Sequence, residues 1–309
     1  MRYTTFCALA GATLSLCLLP VPAHSQDEAV VAERVETDRF SVEVSGEGPD
    51  VILVPGMATP RQVWDANVPK LAAGHRVHAL QVAGFGQEAG PNAEGPVLDP
   101  LIDQLARYIR QRGLERPAIV GHSLGGLIAM RLAAKHPDLA GRIMVVDALP
   151  WFGILMIPPG TPADASAVEN RAEALRTAIL ARHENPASLS QVQAEQAGQV
   201  LDPAKLTRVA QWAAQADQRV VSRLVYEDIN ADMRQAIADI TVPVTVAFSW
   251  NDIFPTRDQA TQFYASQYAA LDGITFRPVG PAGHFLMLDQ PAAFQAVLDE
   301  FLAVQVTPQ

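Results

Sequence analysis

Cysteine is nearly missing from this chain. The 309 residues contain two cysteines, Cys7 and Cys17, and both lie within the first 25 residues. From residue 26 onward the chain cannot form a disulfide, use a thiolate as a nucleophile or bind a metal through sulfur. A nucleophile in this part of the chain therefore has to come from another residue type.

Basic residues are few, and they do not cluster. Lysine and arginine number 23 against 33 aspartates and glutamates, which gives a formal net charge of −10. An acidic chain without basic patches is a poor partner for nucleic acid or an anionic membrane. We therefore expect a small-molecule substrate, with no nucleic acid and no membrane as partner once the leader described next is removed. We expect neither a cofactor nor a metal.

The first 25 residues have the layout of a secretory signal peptide. Arg2 gives a short basic start, Phe6 to Leu19 is apolar, and Ala23-His24-Ser25 places small residues at the first and third positions of a cleavage site. The apolar stretch is short for a membrane span, which needs about 20 residues. The layout favours cleavage after residue 25 over a retained anchor. We expect a periplasmic or secreted protein.

The rest of the chain alternates between strand-like and helix-like segments. Continuous apolar runs such as Val51–Val54 are typical of parallel strands that are buried on both faces. This alternation predicts an α/β fold with a mostly parallel, doubly wound sheet and helices on both faces. Strands are predicted at Phe40–Val44, Val51–Val54, Arg76–Val82, Ala118–Val120, Arg142–Val146, Val242–Phe248 and Ile274–Val279. Helices outside the insertion described next are predicted at Val63–Leu71, Val97–Arg112, Leu127–Ala134, Arg257–Ala270 and Pro291–Val304.

A helical insertion interrupts this alternation between Val146 and Val242. Roughly ninety residues there show helical patterns and no clear strand, which predicts a cap over the strand ends. We therefore divide the chain into residues 26–148 (first part of the core), 149–238 (cap) and 239–309 (second part of the core). The apolar stretch Leu149–Ile157 at the start of the cap fits a packing segment and a pocket lining equally well. The cap helices are predicted at Ala167–His183, Leu189–Gln199, Pro203–Ala216 and Gln218–Tyr226.

Ser123 is the predicted nucleophile. It stands at the centre of Gly121-His122-Ser123-Leu124-Gly125, between an apolar run and a helix-like segment. A strand, a sharp Gly-x-Ser-x-Gly turn and a helix in that order predict a nucleophile elbow, which projects the serine from the end of the sheet. The two glycines avoid clashes with the neighbouring strand and helix.

His284 is the predicted general base. A serine hydroxyl needs such a base within hydrogen-bond distance, and histidine suits the role because its ordinary pKa is near 6.5. His284 lies in a turn-rich loop directly after the last predicted strand, at the sheet edge where ligands bind in this kind of fold. His122 adjoins the serine, but a turn this sharp directs its side chain elsewhere, so we interpret it as a packing residue.

Two aspartates compete to orient the histidine. Asp252 follows the predicted strand Val242–Phe248, and Asp147 follows the predicted strand Arg142–Val146. An acid in this role fixes the tautomer of the imidazole and stabilises the imidazolium. We favour Asp252, because its loop immediately precedes the helix that leads to the histidine strand. Asp147 stays open as the alternative.

Two backbone N–H groups are candidates for binding an oxyanion. The residue after the nucleophile, Leu124, supplies one at the start of its helix. The loop after Val51–Val54 supplies the other, which we assign to Met57. Gly56 lets this backbone approach closely.

These motifs resemble the α/β-hydrolase family across nearly the whole chain after residue 25. The resemblance rests on the elbow, on Val51–Gly56, on Gly84-Phe85-Gly86, on Asp239–Val244 and on Gly283-His284-Phe285. It implies an eight-stranded sheet whose first strand is short or missing in this chain, and a helical lid where the insertion lies. Many relatives have His-Gly where this chain has Pro55-Gly56, and an aspartate where it has Gln81. Relatives with an aspartate nucleophile cleave carbon–halogen bonds, and Ser123 argues against that reaction.

The sequence thus predicts a serine hydrolase that forms an acyl-enzyme and cleaves a carboxylic ester. Apolar residues favour an ester with a hydrophobic group, and four of them are assigned to the substrate pocket: Trp64, Phe85, Trp151 and Phe152. The alternatives on the same triad are a lactonase, an amidase or an aminopeptidase-like enzyme. An alternative of another class is a ligand-binding protein with negligible turnover.

Overall fold

The computed structural model describes residues 31–158, 160, 165–253 and 255–303. The predicted signal peptide, residues 1–25, lies outside the described residues. The described strands form one sheet in the order β1-β2-β4-β3-β5-β6-β7-β8, antiparallel between β1, β2 and β4 and parallel from β4 onward. The strands are β1 (Val31–Glu36), β2 (Phe40–Ser45), β3 (Asp50–Val54), β4 (Arg76–Val82), β5 (Ala118–His122), β6 (Arg142–Val146), β7 (Val244–Ser249) and β8 (Thr275–Val279).

This sheet confirms the predicted α/β class and corrects one detail of it. The first strand is neither missing nor reduced, because β1 has six residues and pairs with β2. Its sequence, Val-Ala-Glu-Arg-Val-Glu, carries three charges. Charged side chains are common on edge strands, where they discourage pairing with other chains, and they weaken the apolar signal that identifies a strand.

Helices cover both faces of the sheet. The predicted helix over Val63–Leu71 is two shorter elements, a 3₁₀ turn at Arg61–Trp64 and the helix α1. In the described part of the chain no helix has the length and apolar character needed to cross a membrane. The helices are α1 (Val68–Ala72), α2 (Leu98–Gln111), α3 (Leu124–Lys135), α4 (Ala165–Leu180), α5 (Leu189–Glu195), α6 (Pro203–Gln215), α7 (Gln218–Asn230), α8 (Arg257–Gln267), α9 (Leu286–Asp289) and α10 (Pro291–Ala303).

Strand β3 shows how the core is divided between the two faces. Ile52 and Val54 join the apolar cluster that includes side chains of α2 and α3. Val51 and Leu53 join the cluster on the other face, which includes side chains of α1 and α10. Successive side chains of a strand point to opposite faces, so a strand covered on both sides has to be apolar throughout.

The helices α4 to α7 occupy the interval where the sequence predicts an insertion, and α7 is fastened to the core at both ends. At its start, the Asp217 N–H donates to the Gly84 carbonyl at 2.7 Å. Near its end, the Glu227 carboxylate accepts the N–H groups of Val97 and Leu98 at the start of α2. A carboxylate at a helix N-terminus satisfies donors that lack a partner within the helix. Helix α7 is therefore held in a fixed position over the carboxyl ends of the strands.

Candidate active site

Ser123 lies at the turn between β5 and α3. Its backbone has φ 53° and ψ −121°, a conformation that L-residues other than glycine rarely adopt. The turn is fixed by the Ser123 N–H, which donates to the Val146 carbonyl at 2.9 Å, and by the Gly126 N–H, which donates to the Ser123 carbonyl at 2.7 Å. This is the strained elbow that the sequence predicts.

Glycines two residues before and two after Ser123 permit this turn. A Cβ atom on Gly121 would lie 2.0 Å from the Gly125 carbonyl oxygen, and one on Gly125 would lie 2.3 Å from the Val54 carbonyl oxygen. A Cβ on Gly56 would lie 3.1 Å from the Ser123 Cβ. Larger residues would force these segments apart, so the glycines allow the strand, the helix and the β3 loop to meet at the serine.

The side chain of His284 contacts the carboxylate of Asp147. The Nδ1 atom of His284 lies 2.7 Å from Oδ2 of Asp147. The same carboxylate accepts the N–H of Ser249 at 2.7 Å and the hydroxyl of Tyr264 at 3.0 Å. Burial by itself would raise the pKa of Asp147, but the hydrogen bond and charge of His284 and the Ser249 N–H outweigh it and hold the pKa below its usual range. Asp147 is therefore an anion in the folded protein.

This contact corrects the preference for Asp252. The two aspartates follow β6 and β7, which are parallel neighbours with Val146 opposite Ala247, so both carboxylates reach the same edge of the sheet. Asp252 is exposed, whereas the Asp147 side chain is 8% exposed and touches His284. The choice of Asp252 was wrong because the order of segments along the chain does not show which of two adjacent loops turns towards the histidine.

His122 holds the loop that carries His284. Its Nε2–H donates to the His284 carbonyl at 3.1 Å, and the two rings have their centroids 4.5 Å apart. Burial, together with the charge that His284 carries when protonated, lowers the pKa of His122 to about 3. His122 is therefore neutral at any working pH. The sequence predicts a packing residue here, and the structure adds a hydrogen bond to the histidine loop.

Three further backbone contacts fix the same loop. The Ala282 N–H donates to the Trp250 carbonyl at 2.8 Å, and the Gly283 N–H donates to Asp289 at 2.8 Å. The Phe285 N–H donates to the carbonyl of Gln199 in the helical insertion at 3.0 Å. The histidine is thus anchored to the sheet and to the insertion at once.

The two predicted oxyanion donors lie beside the serine. Leu124 is the first residue of α3, where backbone N–H groups have no partner within the helix. Met57 shares the wall of one cavity with Ser123, and its carbonyl accepts the Thr59 hydroxyl at 2.8 Å. The binding of an oxyanion by these two N–H groups stays a prediction.

A cavity of about 1050 Å³ opens over Ser123 and His284. Its floor comes from the β3 and β5 loops, and its roof comes from the helical insertion. Phe152 lines this cavity as predicted. The apolar wall residues include Met57, Phe152, Leu155, Ile179, Val221 and Val225.

The other three aromatic residues assigned to the pocket lie elsewhere. Trp64 is fully buried and stacks on Phe294 with ring centroids 6.1 Å apart. Phe85 is buried in the core cluster next to α2 and α3. The Trp151 indole N–H donates to the Ile229 carbonyl at 2.9 Å. These assignments were wrong, because aromatic side chains pack the core as readily as they line a pocket.

The cavity wall also contains a carboxyl group that sequence reasoning missed. Asp228 lies on α7 and faces the cavity together with Val221 and Val225. The spacing of these residues, four and then three along a helix, places them on one face. That spacing was the signal in the sequence, but the acid falls two residues beyond the end of the predicted helix Gln218–Tyr226.

Among the described residues, no cluster of His, Cys, Asp or Glu has the arrangement needed to hold a metal ion. The groups that the site does offer are a strained serine, a histidine with an anionic partner and backbone N–H groups at a helix start. Together they are suited to nucleophilic attack on a carbonyl carbon.

Comparisons with known proteins agree with this architecture. The sequence profile of the alpha/beta hydrolase family matches residues 51–297. A pimeloyl-[acyl-carrier protein] methyl ester esterase from Vibrio atlanticus is 32% identical over 122 residues, which cover 40% of this chain and 45% of the relative. The chain thus spans less than half the length of that relative.

Solved structures show the same fold. An esterase from Exiguobacterium antarcticum has a TM-score of 0.71 at 18% identity, covering 86% of this chain and 96% of its own. An enol-lactonase from Burkholderia xenovorans has a TM-score of 0.68 at 18% identity, with the same coverage of both chains. The chain belongs to the α/β hydrolase family.

Proposed function

We propose that this hydrolase cleaves carboxylic esters through a triad of Ser123, His284 and Asp147. The observation that carries the proposal is the 2.7 Å contact between His284 and Asp147, at the edge of the sheet where Ser123 projects into the same cavity. A serine at a strained turn, with a histidine and a buried acid on the next loops, is the arrangement that acyl transfer requires.

In the first half-reaction, His284 accepts the proton of the Ser123 hydroxyl while the serine oxygen attacks the ester carbonyl. Asp147 keeps the proton of His284 on Nδ1, so that Nε2 is free to act as the base, and it stabilises the imidazolium that forms. The N–H groups of Leu124 and Met57 bind the oxyanion of the tetrahedral intermediate. Collapse of that intermediate releases the alcohol, which takes the proton back from His284.

In the second half-reaction, water cleaves the acyl-enzyme. His284 removes a proton from the water as it attacks the acyl carbonyl, and it returns this proton to the Ser123 oxygen when the acid leaves. The free enzyme is restored without a cofactor, because both steps exchange only protons and an acyl group.

The lining of the cavity supports a small-molecule ester with an apolar group. Phe152 and Leu155 from the insertion are 39% and 53% exposed and lie on the cavity wall. Exposed apolar side chains in a concave site next to reactive groups favour a hydrophobic part of the substrate there. We further propose that the protein acts in the periplasm or outside the cell, on the basis of the signal-peptide layout of residues 1–25.

Hydrolysis of p-nitrophenyl esters with acyl chains of increasing length tests the activity. We expect turnover that disappears in Ser123→Ala, and labelling of Ser123 by a fluorophosphonate probe. A purified protein that hydrolyses none of these esters and leaves Ser123 unlabelled would contradict the proposal and favour a binding protein. Lactones and aminoacyl amides in the same assay separate the ester reaction from the lactonase, amidase and aminopeptidase alternatives.

A further inference from the structure

The side chain of Asp228 takes no part in the hydrogen bonds and ion pairs of the described structure. Asp228 lies on the cavity wall, on the same face of α7 as the apolar side chains of Val221 and Val225. Across the part of the chain that the structure describes, neither a hydrogen bond nor an ion pair involves this side chain. A carboxyl group in such a place is costly to bury unless something binds it.

The neighbouring charges differ from Asp228 in this respect. Arg182 and Glu195, both on the cavity wall, form a bidentate pair with N–O distances of 2.7 Å. Asp217 caps the start of α7 and binds Arg219. Both acids already have a cationic partner, and Glu88, the remaining carboxylate on the wall, is exposed. Asp228 is half-buried and has no partner among the described residues, so it is the carboxyl best placed for a ligand.

The helix that carries Asp228 cannot easily withdraw it from the cavity. The Asp217 N–H binds the Gly84 carbonyl at 2.7 Å, and Glu227 binds the start of α2 through two N–H groups. The Trp151 indole N–H binds the Ile229 carbonyl, one residue beyond the aspartate. A group that is held rigidly at a binding site loses little entropy when a ligand arrives.

We propose that Asp228 selects ester substrates that carry a positively charged nitrogen, which it binds beneath the helical insertion while the ester reaches Ser123. The inference rests on the proposed ester hydrolysis. Asp228 and His284 line the same cavity, and among the described residues neither a hydrogen bond nor an ion pair joins their side chains, so recognition and catalysis can be tested separately.

A half-buried carboxylate is well suited to this task. Desolvation raises the pKa of Asp228 to about 7, against the opposing effect of the charge that His284 carries when protonated. A cation that binds beside it favours the ionised form and supplies the missing partner. A neutral ligand of the same shape gains no such interaction, so the site discriminates by charge.

The test compares esters that differ only in a charged nitrogen. On the acyl side, the p-nitrophenyl esters of 4-(trimethylammonio)butyrate and 5,5-dimethylhexanoate have matched shapes. On the alcohol side, butyrylcholine is compared with 3,3-dimethylbutyl butyrate. For at least one pair we expect kcat/KM to favour the cation by about tenfold or more. Asp228→Asn should remove most of this preference and leave the neutral ester within about twofold of wild type.

Glu184→Gln is the matched control, since it removes one negative charge from an exposed residue of the insertion that does not line the cavity. We expect it to keep the preference for the cationic ester. If Asp228→Asn slows both members of each pair equally, or if neither pair shows a preference in wild type, the inference is wrong. If Asp228→Asn loses the preference for the cationic ester and also shifts the pH profile of kcat/KM for both esters, the inference is wrong and Asp228 acts by positioning His284.

A binding measurement keeps this inference separate from the proposed reaction. In the Ser123→Ala protein, calorimetry compares choline with 3,3-dimethylbutan-1-ol, with and without Asp228→Asn. Tighter binding of choline that depends on Asp228 would support the recognition site even if no ester were hydrolysed. Ester turnover without any difference between charged and neutral ligands would overturn the recognition site alone.

Discussion

Asp147 holds His284 through a 2.7 Å contact between Oδ2 and Nδ1, and it does so from a strained backbone with φ 50°. Ser123 has nearly the same φ, 53°, at the end of the neighbouring strand. Strain of this kind persists only where the surrounding structure enforces it, and it clusters at functional sites. Both residues are fixed by backbone hydrogen bonds to the next strand of the sheet, Ser123 to Val146 and Asp147 to Ala247.

Replacing the acid tests which aspartate serves the triad. We expect Asp147→Asn to lower kcat by about 10³–10⁴-fold, because an amide no longer favours the required tautomer of His284. Asp252→Asn is the matched control and should change kcat less than about threefold, since Asp252 is exposed. Ester hydrolysis under saturating substrate measures both. The reverse ranking would return the role to Asp252.

Tyr264 steadies the Asp147 carboxylate. Its hydroxyl donates to Oδ1 at 3.0 Å, so Tyr264→Phe should lower kcat by about three- to tenfold with little change in KM. Tyr268→Phe is the control, because that buried hydroxyl donates to the Ala148 carbonyl at 2.8 Å instead. Both variants lose one buried hydrogen bond and should lose similar thermal stability. Equal effects on kcat would show that Tyr264 acts only through stability.

His122 positions the catalytic loop. His122→Phe removes the donor to the His284 carbonyl, and we expect kcat to fall by about tenfold while the pH profile keeps its shape. The profile should not move, because the pKa of His122 is about 3 and the ring is neutral throughout the working range. His136→Gln, at the end of α3, is the control and should retain full activity. A shifted pH profile in His122→Phe would indicate that the ring titrates after all.

The elbow depends on the absence of a Cβ atom at Gly121. Gly121→Ala would place a Cβ 2.0 Å from the Gly125 carbonyl oxygen, so we expect a fall in the free energy of unfolding of about 3 kcal/mol or more, or no soluble protein. Gly74→Ala has nothing within 4 Å of its added Cβ and should leave the melting temperature nearly unchanged. Thermal unfolding followed by circular dichroism compares the two. Equal melting temperatures would refute the close contact.

Asp228 should cost stability at alkaline pH. Its pKa is raised to about 7 in the folded protein, whereas an unfolded aspartate has a pKa of about 3.9. The folded state thus binds the proton more tightly, and stability falls as the pH rises from about 4 through about 7. Asp228→Asn avoids this loss, so its melting temperature should exceed that of wild type by about 2–4 °C at pH 8 and by less at pH 4.5.

If the difference in melting temperature between Asp228→Asn and wild type does not grow from pH 4.5 to pH 8, Asp228 is already an anion with a partner in the folded protein. The other charged groups around α7 are the same in both proteins, so their own titration largely cancels when the two melting temperatures are compared. On the cavity wall and on α4 these groups are Glu88, Arg182, His183, Glu195, Asp217, His284, Glu169, Arg171, Glu173 and Arg176.

The wrong aromatic assignments share one origin. Trp64 and Phe85 were assigned to the pocket because large apolar side chains occur at binding sites, but the same property packs them in the core. The apolar stretch Leu149–Ile157 also serves both purposes: Trp151 packs inside the insertion, while Phe152 and Leu155 face the cavity. Residue type does not distinguish these cases, because burial depends on which elements meet around the side chain.

The sequence by itself determined the parts of this protein that depend on local backbone and short-range pattern. The glycines around Ser123, the apolar runs of the parallel strands and the loop position of His284 are local properties, and each led to the correct element. Only the tertiary structure decided between Asp147 and Asp252 and brought Asp228 to the cavity wall. Those choices depend on how adjacent loops turn and how α7 lies over the sheet, which are contacts between segments distant in the chain.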